Sequence, residues 1–162
     1  MNQYEHINQT IPKKKRIALI AHDSKKSELV EWVKQNTAVL RNHNLCGTGT
    51  TAHLISENTA LSVKGYNSGP LGGDQQIGSR IVEGSIDFVI FFWDPLEAQP
   101  HDPDIKALMR IAVVYDIPIA TNRATADFLL NSHYMQNEYV HQVFNCKEIV
   151  ENRILEQNLI LN

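Results

Sequence analysis

The run Phe88-Val89-Ile90-Phe91-Phe92 limits the possible folds of this chain more than any other segment, because five consecutive apolar residues leave no face for water. A strand of this kind is buried on both faces, as the central strands of parallel sheets are. Shorter apolar runs at Ile17 to Ala21 and at Ile117 to Ala120 predict further strands, with Pro118 confined to a strand start. These runs indicate a buried, parallel sheet.

Between the strands, apolar residues recur at the spacing of amphipathic helices. The predicted helices cover residues 29–40, 50–58, 74–83, 105–112, 124–130 and 147–159, and weaker strands cover 43–47, 62–66 and 139–144. Because strands and helices alternate, we predict an α/β fold with right-handed crossovers. It is a single, three-layer, doubly wound domain, Rossmann-like, around a mainly parallel five-stranded sheet.

The composition fits one globular domain, with 43% hydrophobic and 20% charged residues in a chain of 162. We assign residues 1–15 to a basic N-terminal lead-in and residues 16–162 to the domain. The apolar run behind Lys13-Lys14-Lys15-Arg16 is too short for a signal peptide or a membrane span. A net charge of −3 without interleaved aromatic residues argues against nucleic-acid binding. We therefore interpret the basic cluster as a solvated lead-in to the first strand.

The two cysteines, Cys46 and Cys146, show neither metal-type nor redox-type spacing. Free thiols that pack in the protein are the simplest interpretation, and they indicate a reducing, cytoplasmic compartment.

Polar segments follow five of the predicted strands. They are His22-Asp23, Gly47 to Thr51, Ser68 to Asp74, Trp93-Asp94-Pro95 and Thr121-Asn122. Open α/β sheets bind ligands at the carboxyl ends of their strands, so we expect these five segments to line one site.

The segment Ser68-Gly69-Pro70-Leu71-Gly72-Gly73-Asp74 sets an acidic residue beside backbone that can aim its N–H groups at an anion. Asp74 stands at the start of a predicted helix that ends near Gly84. Aspartate is a favoured N-cap, so from position alone Asp74 is more often a cap than a catalyst.

The run Gly47-Thr48-Gly49-Thr50-Thr51 offers hydroxyls and amides just before a helix, which suits a phosphate group. It has the spacing of neither a P-loop nor a dinucleotide fingerprint. A threonine cap with a glycine turn explains the run equally well. Lys26, one turn into the first helix, can add positive charge, although a solvated lysine is the simpler interpretation.

The segment His101-Asp102-Pro103-Asp104 begins another helix. Asp102 before Pro103 is typical of an N-cap, and Asp104 complements the helix dipole. His101 can donate to an oxygen on which charge develops. The aspartates and histidines at this edge could also hold a metal, but no metal-binding spacing is present, so the metal alternative is weaker.

Taken together, long and ordered motifs between about Arg16 and Leu130 resemble those of the methylglyoxal synthase family. The motifs are Ala21-His22-Asp23, Thr48-Gly49-Thr50-Thr51, Ser68 to Gln76, Phe91 to Pro95, His101 to Asp104 and Ala124 to Phe128. The resemblance implies a cytoplasmic, cofactor-free lyase, usually a homohexamer, that converts dihydroxyacetone phosphate to methylglyoxal and inorganic phosphate. It implies no metal, and it makes phosphate a product and an expected inhibitor.

By the same resemblance, Asp74 is the base, and His101 is the electrophile that Asp104 orients or assists. Asp94 and His22 are second candidates for proton transfer or positioning. The residues implied in binding the substrate or its phosphate are His22, Lys26, Thr48, Gly49, Thr50, Thr51, Ser68 and Gly69. From its place at a helix N-terminus we expect Asp74 to have a low pKa and to be a modest base.

The chain departs from the family pattern at Ser24-Lys25 and in the tail from Asn131 onward. We hypothesise that Arg153 reaches a neighbouring subunit's phosphate site, although a surface arginine is the simpler interpretation. Two other classes stay open: a regulatory ligand-binding module of this fold and a metal-dependent hydrolase. Asp74, His101 and Asp104 together favour the enzyme over the module.

Overall fold

A computed structural model describes the backbone of residues 5–161 and the side chains of residues 5–158. Within the described residues, seven strands and seven α-helices alternate along most of the chain. They are β1 (His6–Ile11), β2 (Arg16–Ala21), α1 (Lys26–Gln35), α2 (Thr37–Leu40), β3 (Asn44–Gly47), α3 (Gly49–Asn58), β4 (Val63–Gly65), α4 (Gly73–Val82), β5 (Phe88–Phe92), α5 (Asp102–Val114), β6 (Ile119–Ala120), α6 (Arg123–Leu130), β7 (Tyr139–Phe144) and α7 (Cys146–Leu161).

The main sheet has five strands in the order β4-β3-β2-β5-β6, and every neighbouring pair is parallel. The predicted α/β, doubly wound fold is therefore confirmed. The order of the strands reverses between β2 and β5, which pair from Ile17 with Phe88 to Ala21 with Phe92. In such sheets the reversal point opens a crevice at the carboxyl ends of the two strands.

The core lies in two layers, one on each face of the sheet, because successive side chains of a strand point to opposite faces. Ile17, Leu19 and Ala21 of β2 pack in one layer, and Ala18 and Ile20 pack in the other. The first layer receives side chains from α1, α2, α3 and α6, and the second receives them from α4 and α5. Each fully buried aliphatic side chain contributes about 2 kcal/mol, so both helix layers hold the sheet firmly.

Strand β1 was not predicted, and the predicted strand 139–144 lies outside the main sheet. The two pair antiparallel, from His6 with Phe144 to Ile11 with Tyr139. Ile11 is the buried residue of β1, and its other residues are exposed. A strand with one buried side chain has no apolar alternation, so its sequence carries little signal.

The interpretation of the basic cluster as solvated is wrong for Lys15. Its side chain is buried, and Nζ donates to the carbonyl oxygens of Pro12 at 2.7 Å and Asn137 at 2.6 Å. Burial lowers the pKa of Lys15, against the smaller opposing effects of Asp87 and Glu138. Lysine 15 therefore ties the chain segment before β2 to the segment before β7.

Smaller differences concern single side chains. Val82, next to the buried Ile81 in α4, is 47% exposed. Both cysteines are free thiols, but only Cys46 is buried, which raises its pKa to about 11, whereas Cys146 is exposed. The packing role predicted for the cysteines is therefore right for Cys46 and wrong for Cys146. Among the described residues, no helix has the length and apolar character needed to cross a membrane.

Candidate active site

A cavity of about 370 Å³ lies at the carboxyl ends of β2, β3 and β5, where the sheet order reverses. We call it the carboxyl-edge cavity. The structure brings eight of the predicted site residues to its wall: His22, Lys26, Thr48, Thr50, Ser68, Gly69, Asp74 and His101. Residues more than 70 positions apart in the chain thus meet in one place, as the parallel sheet predicts.

Asp74 owes its position to a tightly folded loop. Gly72 has φ of +90°, a conformation that glycine adopts without strain. A Cβ on Gly73 would lie 2.1 Å from the carbonyl oxygen of Asn67, so no larger residue fits at that position. Helix α4 begins at Gly73 and its N-cap is Gly72, with no side-chain capping bond. The alternative that Asp74 is a helix cap is therefore wrong, and its side chain is free for another task.

Asp74 and His101 form a buried pair in this cavity. Asp74 Oδ2 lies 3.5 Å from His101 Nε2, and the two side chains are 2% and 10% exposed. A Cβ on Gly69 would lie 2.8 Å from His101 Nε2 and 3.1 Å from Asp74 Oδ2. Glycine at position 69 lets the loop close over the pair without separating it.

The pKa of Asp74 is raised, which corrects the low pKa expected from its place at a helix N-terminus. Burial is the main cause, and the charge of Asp104 adds to it, while His101 and His22 act in the opposite direction. Removal of water from the carboxylate outweighs the helix dipole because desolvation penalises the charged form strongly. Within the described residues Asp74 Oδ2 has no hydrogen-bond donor. An ionised, poorly solvated carboxylate is a stronger base than an exposed one.

His22 presents a fixed donor to the cavity. The backbone N–H of Asp94 donates to His22 Nδ1 at 3.1 Å, so in the neutral ring the proton lies on Nε2. The ring is buried and packs edge-on to Phe91, with centroids 5.2 Å apart. The pKa of His22 is lowered by burial and, to a smaller extent, by His101. Its Nε2 has no partner among the described residues, and a neutral N–H donor is thus available in the cavity.

The carboxylate of Asp94 is engaged outside the cavity. Asp94 Oδ2 accepts from Ser24 Oγ at 2.6 Å, and Oδ1 accepts from the backbone N–H of Leu96 at 2.9 Å. These two hydrogen bonds lower the pKa of Asp94, the one from Ser24 most. The contact of Asp94 that reaches the cavity is the one from its backbone to His22, which fits positioning better than proton transfer.

The carboxylate of Asp104 contacts Gln75 and not the His101 ring that the resemblance implied. Asp104 Oδ1 accepts from Gln75 Nε2 at 3.0 Å, and its backbone N–H donates to the carbonyl oxygen of His101 at 2.9 Å. Among the described contacts its carboxylate makes no hydrogen bond to the His101 ring. Asp104 acts on the pair electrostatically, by raising the pKa of Asp74.

Donors for an anion lie on the other side of the carboxyl-edge cavity. Lys26 Nζ donates to Thr50 Oγ1 at 2.9 Å and to the Asp23 carboxylate. Helix α3 follows, with Thr48 as its N-cap and no side-chain capping bond from that hydroxyl. The N–H groups of Thr50 and Thr51 belong to the first turn, where a helix offers no internal acceptor. This arrangement can bind a phosphate group.

Three predicted residues contribute indirectly or point elsewhere. Gly49 acts through its backbone, because a Cβ there would lie 3.0 Å from the carbonyl oxygen of Tyr66. Thr51 is buried, and its Oγ1 has no partner among the described residues, but it does not line the cavity wall. Asp102, predicted as an N-cap, is the first residue of α5, and His101 takes the cap position without a side-chain bond.

Sequence reasoning missed Gln99 as a site residue. Gln99 lines the carboxyl-edge cavity, and its carbonyl oxygen accepts from the backbone N–H of Asp102 at 3.1 Å. Its place in the loop between β5 and α5 was the available signal, because that loop also carries Asp94 and His101. In the described part of the chain, no three histidine, cysteine or acidic side chains come close enough to hold a metal ion.

Comparison with known proteins gives a consistent result. A family model described as "MGS-like domain" matches residues 28–121. Methylglyoxal synthase from Clostridium acetobutylicum is 60% identical over 132 residues, which cover 82% of this chain and 91% of that protein. Methylglyoxal synthase from Leptospira interrogans is 59% identical, over 80% of this chain and 88% of the other. The crystal structure of methylglyoxal synthase from Elizabethkingia anophelis superposes with a TM-score of 0.81 at 53% identity, covering 85% of this chain and 90% of that one.

Proposed function

The chain belongs to the methylglyoxal synthase family and makes methylglyoxal, and we propose that it does so as a carbon–oxygen lyase acting on dihydroxyacetone phosphate. The observation that carries the proposal is a single cavity with a buried Asp74–His101 pair on one side and phosphate-type donors on the other. Dihydroxyacetone phosphate has an acidic C–H group at one end and a phosphate at the other, and it matches both sides.

In the first step, Asp74 takes a proton from the carbon that bears the free hydroxyl group. Burial raises the pKa of Asp74, so the proton transfer is less unfavourable than to an exposed carboxylate. The electrons of the C–H bond move toward the ketone and give an enediolate. Catalysis then depends on donors that stabilise the enediolate oxygens.

His101 and His22 supply these donors. Their rings lie 6.0 Å apart between centroids and nearly perpendicular, at 81°. This arrangement allows each ring to face one of the two neighbouring oxygens of the enediolate. His22 donates from Nε2 because its Nδ1 accepts from the Asp94 backbone. We propose that Asp94 and Asp104 are positioning residues, the first for His22 and the second through the electrostatics of the pair.

In the second step the enediolate collapses, the C–O bond to the phosphate breaks, and inorganic phosphate leaves. The resulting enol takes a proton at the carbon that carried the phosphate, which becomes the methyl group of methylglyoxal. Lys26, the hydroxyls of Thr48, Thr50 and Ser68, and the Gly69 backbone hold the leaving phosphate, and the N-terminus of α3 favours its negative charge. Elimination requires the C–O bond to the phosphate to stand out of the enediolate plane. An isomerase acting on the same substrate must instead keep that bond near the plane, so that phosphate is not lost.

The decisive test uses the purified chain with dihydroxyacetone phosphate, without added cofactor and with a chelator present. We expect methylglyoxal and inorganic phosphate to form in equal amounts. No methylglyoxal would overturn the assignment, and loss of turnover in chelator would favour the metal-dependent hydrolase. Full turnover of Asp74→Asn would remove Asp74 as the base.

We further propose a cytoplasmic homohexamer that its product phosphate inhibits. Large apolar side chains on the described surface support self-association, among them Phe128, which is 83% exposed, and Val113. Residues 150–158 of α7 are all exposed, so Arg153 is available to a neighbouring copy. A light-scattering mass tests the assembly, and an unchanged phosphate response of Arg153→Ala would remove the role of that residue.

A further inference from the structure

We propose that a second cavity, at the amino ends of the strands, binds a small aromatic carboxylate. This amino-edge cavity has a volume of about 280 Å³, and its wall includes Ile11, Lys15, Phe88, Leu129, Tyr134 and Met135. Lys15 directly precedes β2, and His22 directly follows it. A strand of six residues, roughly 20 Å long, therefore separates the amino-edge cavity from the carboxyl-edge cavity.

The wall suits a flat, apolar body. It is mostly aliphatic and aromatic, and the rings of Tyr134 and Tyr139 pack with centroids 4.7 Å apart. Sites for small molecules are typically apolar with a few placed polar groups, and this volume lies near the small end of their range. A ligand with a single ring fits these dimensions.

The polar group that sets the ligand's chemistry is the Lys15 ammonium. Residue Lys15 is 4% exposed, and its ammonium has three N–H donors, two of which donate to the carbonyl oxygens of Pro12 and Asn137. The described residues supply no acceptor for the third. A buried donor without an acceptor is costly, so a ligand oxygen at this point gains a hydrogen bond to a charged group.

The charges of the other ionisable side chains of the wall are compensated by Arg16 at Asp87 and by water at Asp116. The Asp87 carboxylate accepts three hydrogen bonds from Arg16, at 2.7, 2.9 and 2.6 Å. Asp116 is 59% exposed, so water screens the charge of its carboxylate, which lies 3.4 Å from His141 Nδ1. Burial lowers the pKa of Lys15, and a bound carboxylate would oppose that effect. The amino-edge cavity therefore favours an anion over a cation.

The test is a titration of the full chain, labelled with ¹⁵N, with benzoate in saturating inorganic phosphate, which by the proposed function fills the carboxyl-edge cavity. We expect benzoate to shift the amide signals of Phe88, Leu129 and Met135. Benzylamine, which has the same ring but the opposite charge, is expected to leave them unchanged. Equal shifts with both compounds, no shifts, or shifts confined to Ser68 to Asp74 would overturn the proposal.

Variants locate the binding group. Lys15→Met keeps most of the side-chain volume and removes the donors, and we expect at least about a tenfold loss of benzoate affinity. Lys14→Met is the matched control, because Lys14 is an exposed neighbour outside the amino-edge cavity. We expect this variant to bind benzoate with the same affinity as the unmodified chain.

Because Lys15 also ties two carbonyl groups, Lys15→Met can fail to fold. Tyr134→Ala removes a half-exposed ring from the wall instead and is expected to weaken benzoate binding at least about threefold. Unchanged affinity in Tyr134→Ala, or in folded Lys15→Met, would overturn the proposal. Tyr134 lies outside the carboxyl-edge cavity, so methylglyoxal formation by Tyr134→Ala is expected to be unchanged and is tested separately.

Discussion

Asp74 and Asp87 are aspartates of nearly equal burial, 2% and 3% exposed, at opposite ends of the same sheet. Asp87 lies before β5, and its two oxygens accept three hydrogen bonds from the backbone and guanidinium of Arg16. Asp74 lies in the carboxyl-edge cavity, where its Oδ2 has no donor among the described residues and meets only His101 at 3.5 Å. The two carboxylates are buried to nearly the same extent, but hydrogen bonds replace the lost water at Asp87 and not at Asp74 Oδ2.

This difference separates a structural carboxylate from a reactive one. A buried charge stabilises a fold when hydrogen bonds replace the water that it loses, as they do at Asp87. Without those bonds the charged form is penalised, and at Asp74 the result is a raised pKa. The fold tolerates this cost at Asp74, the residue that we propose as the base.

The largest expected effect is on turnover in Asp74→Asn. The amide cannot take a proton, so we expect kcat to fall by about 10³-fold or more. Stability is expected to stay level or rise, since a poorly compensated buried charge is removed. Steady-state kinetics and a urea unfolding curve measure both, and a variant that loses stability while it keeps kcat would invert the comparison.

Asp87→Asn is the complementary change. We expect it to destabilise the fold by about 2 kcal/mol, because it weakens the pairing with Arg16. Turnover per folded molecule is expected to be unchanged, because Asp87 lies at the far end of the sheet. Urea midpoints, with kcat corrected for the folded fraction, provide the test. A stable variant with impaired kcat would show that compensation by hydrogen bonds does not distinguish the two carboxylates.

Gly69→Ala tests the contact between the loop and the reactive pair. The new methyl group would lie 2.8 Å from His101 Nε2, so the ring or the loop must shift. We expect kcat/KM to fall by about 10²-fold, since a displacement of about 1 Å is enough for such a loss. Gly84→Ala is a control, because a Cβ there meets open space, although its φ of +68° adds local backbone strain. Equal activity of both variants would contradict the close packing at Gly69.

The smallest effect concerns pH. A carboxyl whose folded-state pKa is raised stabilises the fold fully below its unfolded value, near 3.8, and this contribution is lost as pH rises through the folded value. The stability of the unmodified chain should therefore fall relative to Asp74→Asn as pH rises through that window. The acid limb of kcat/KM should inflect above 3.8, since the base must be ionised. If the difference in stability between the unmodified chain and Asp74→Asn did not change with pH, or if kcat/KM inflected at 3.8, the pKa of Asp74 would not be raised.

The sequence predicts the main sheet well because its signals are local. The apolar run of β5 follows from burial on two faces, the helical spacing of α5 follows from burial on one face, and both positions are confirmed. The helix predicted over residues 29–40 is instead two helices, α1 and α2, that are separated at Asn36. Strand β1 escaped prediction because only Ile11 is buried in it. Its partner, β7, was found, but pairing outside the main sheet depends on contacts between residues about 130 positions apart.

For the site, the sequence predicts which loops converge but not how each carboxylate is solvated. The raised pKa of Asp74 depends on the closure of Gly69 over it, and the orientation of Asp94 depends on Ser24. Both are distant contacts that propensity and spacing do not encode. The lowered pKa expected for Asp74 came from the helix dipole alone, a local effect that burial outweighs.

The loop from Asn67 to Gln76 is closed by its own hydrogen bonds. The Asn67 N–H donates to Gln76 Oε1 at 2.8 Å, and the Gly73 N–H donates to the Ser68 carbonyl oxygen at 2.9 Å. We therefore expect Ser68, which we propose as a phosphate contact, and Asp74, which we propose as the base, to move as one body. A motion that opens the loop for phosphate to escape would also draw the base away from the carbon skeleton. Departure of one product would then protect the other from being deprotonated again.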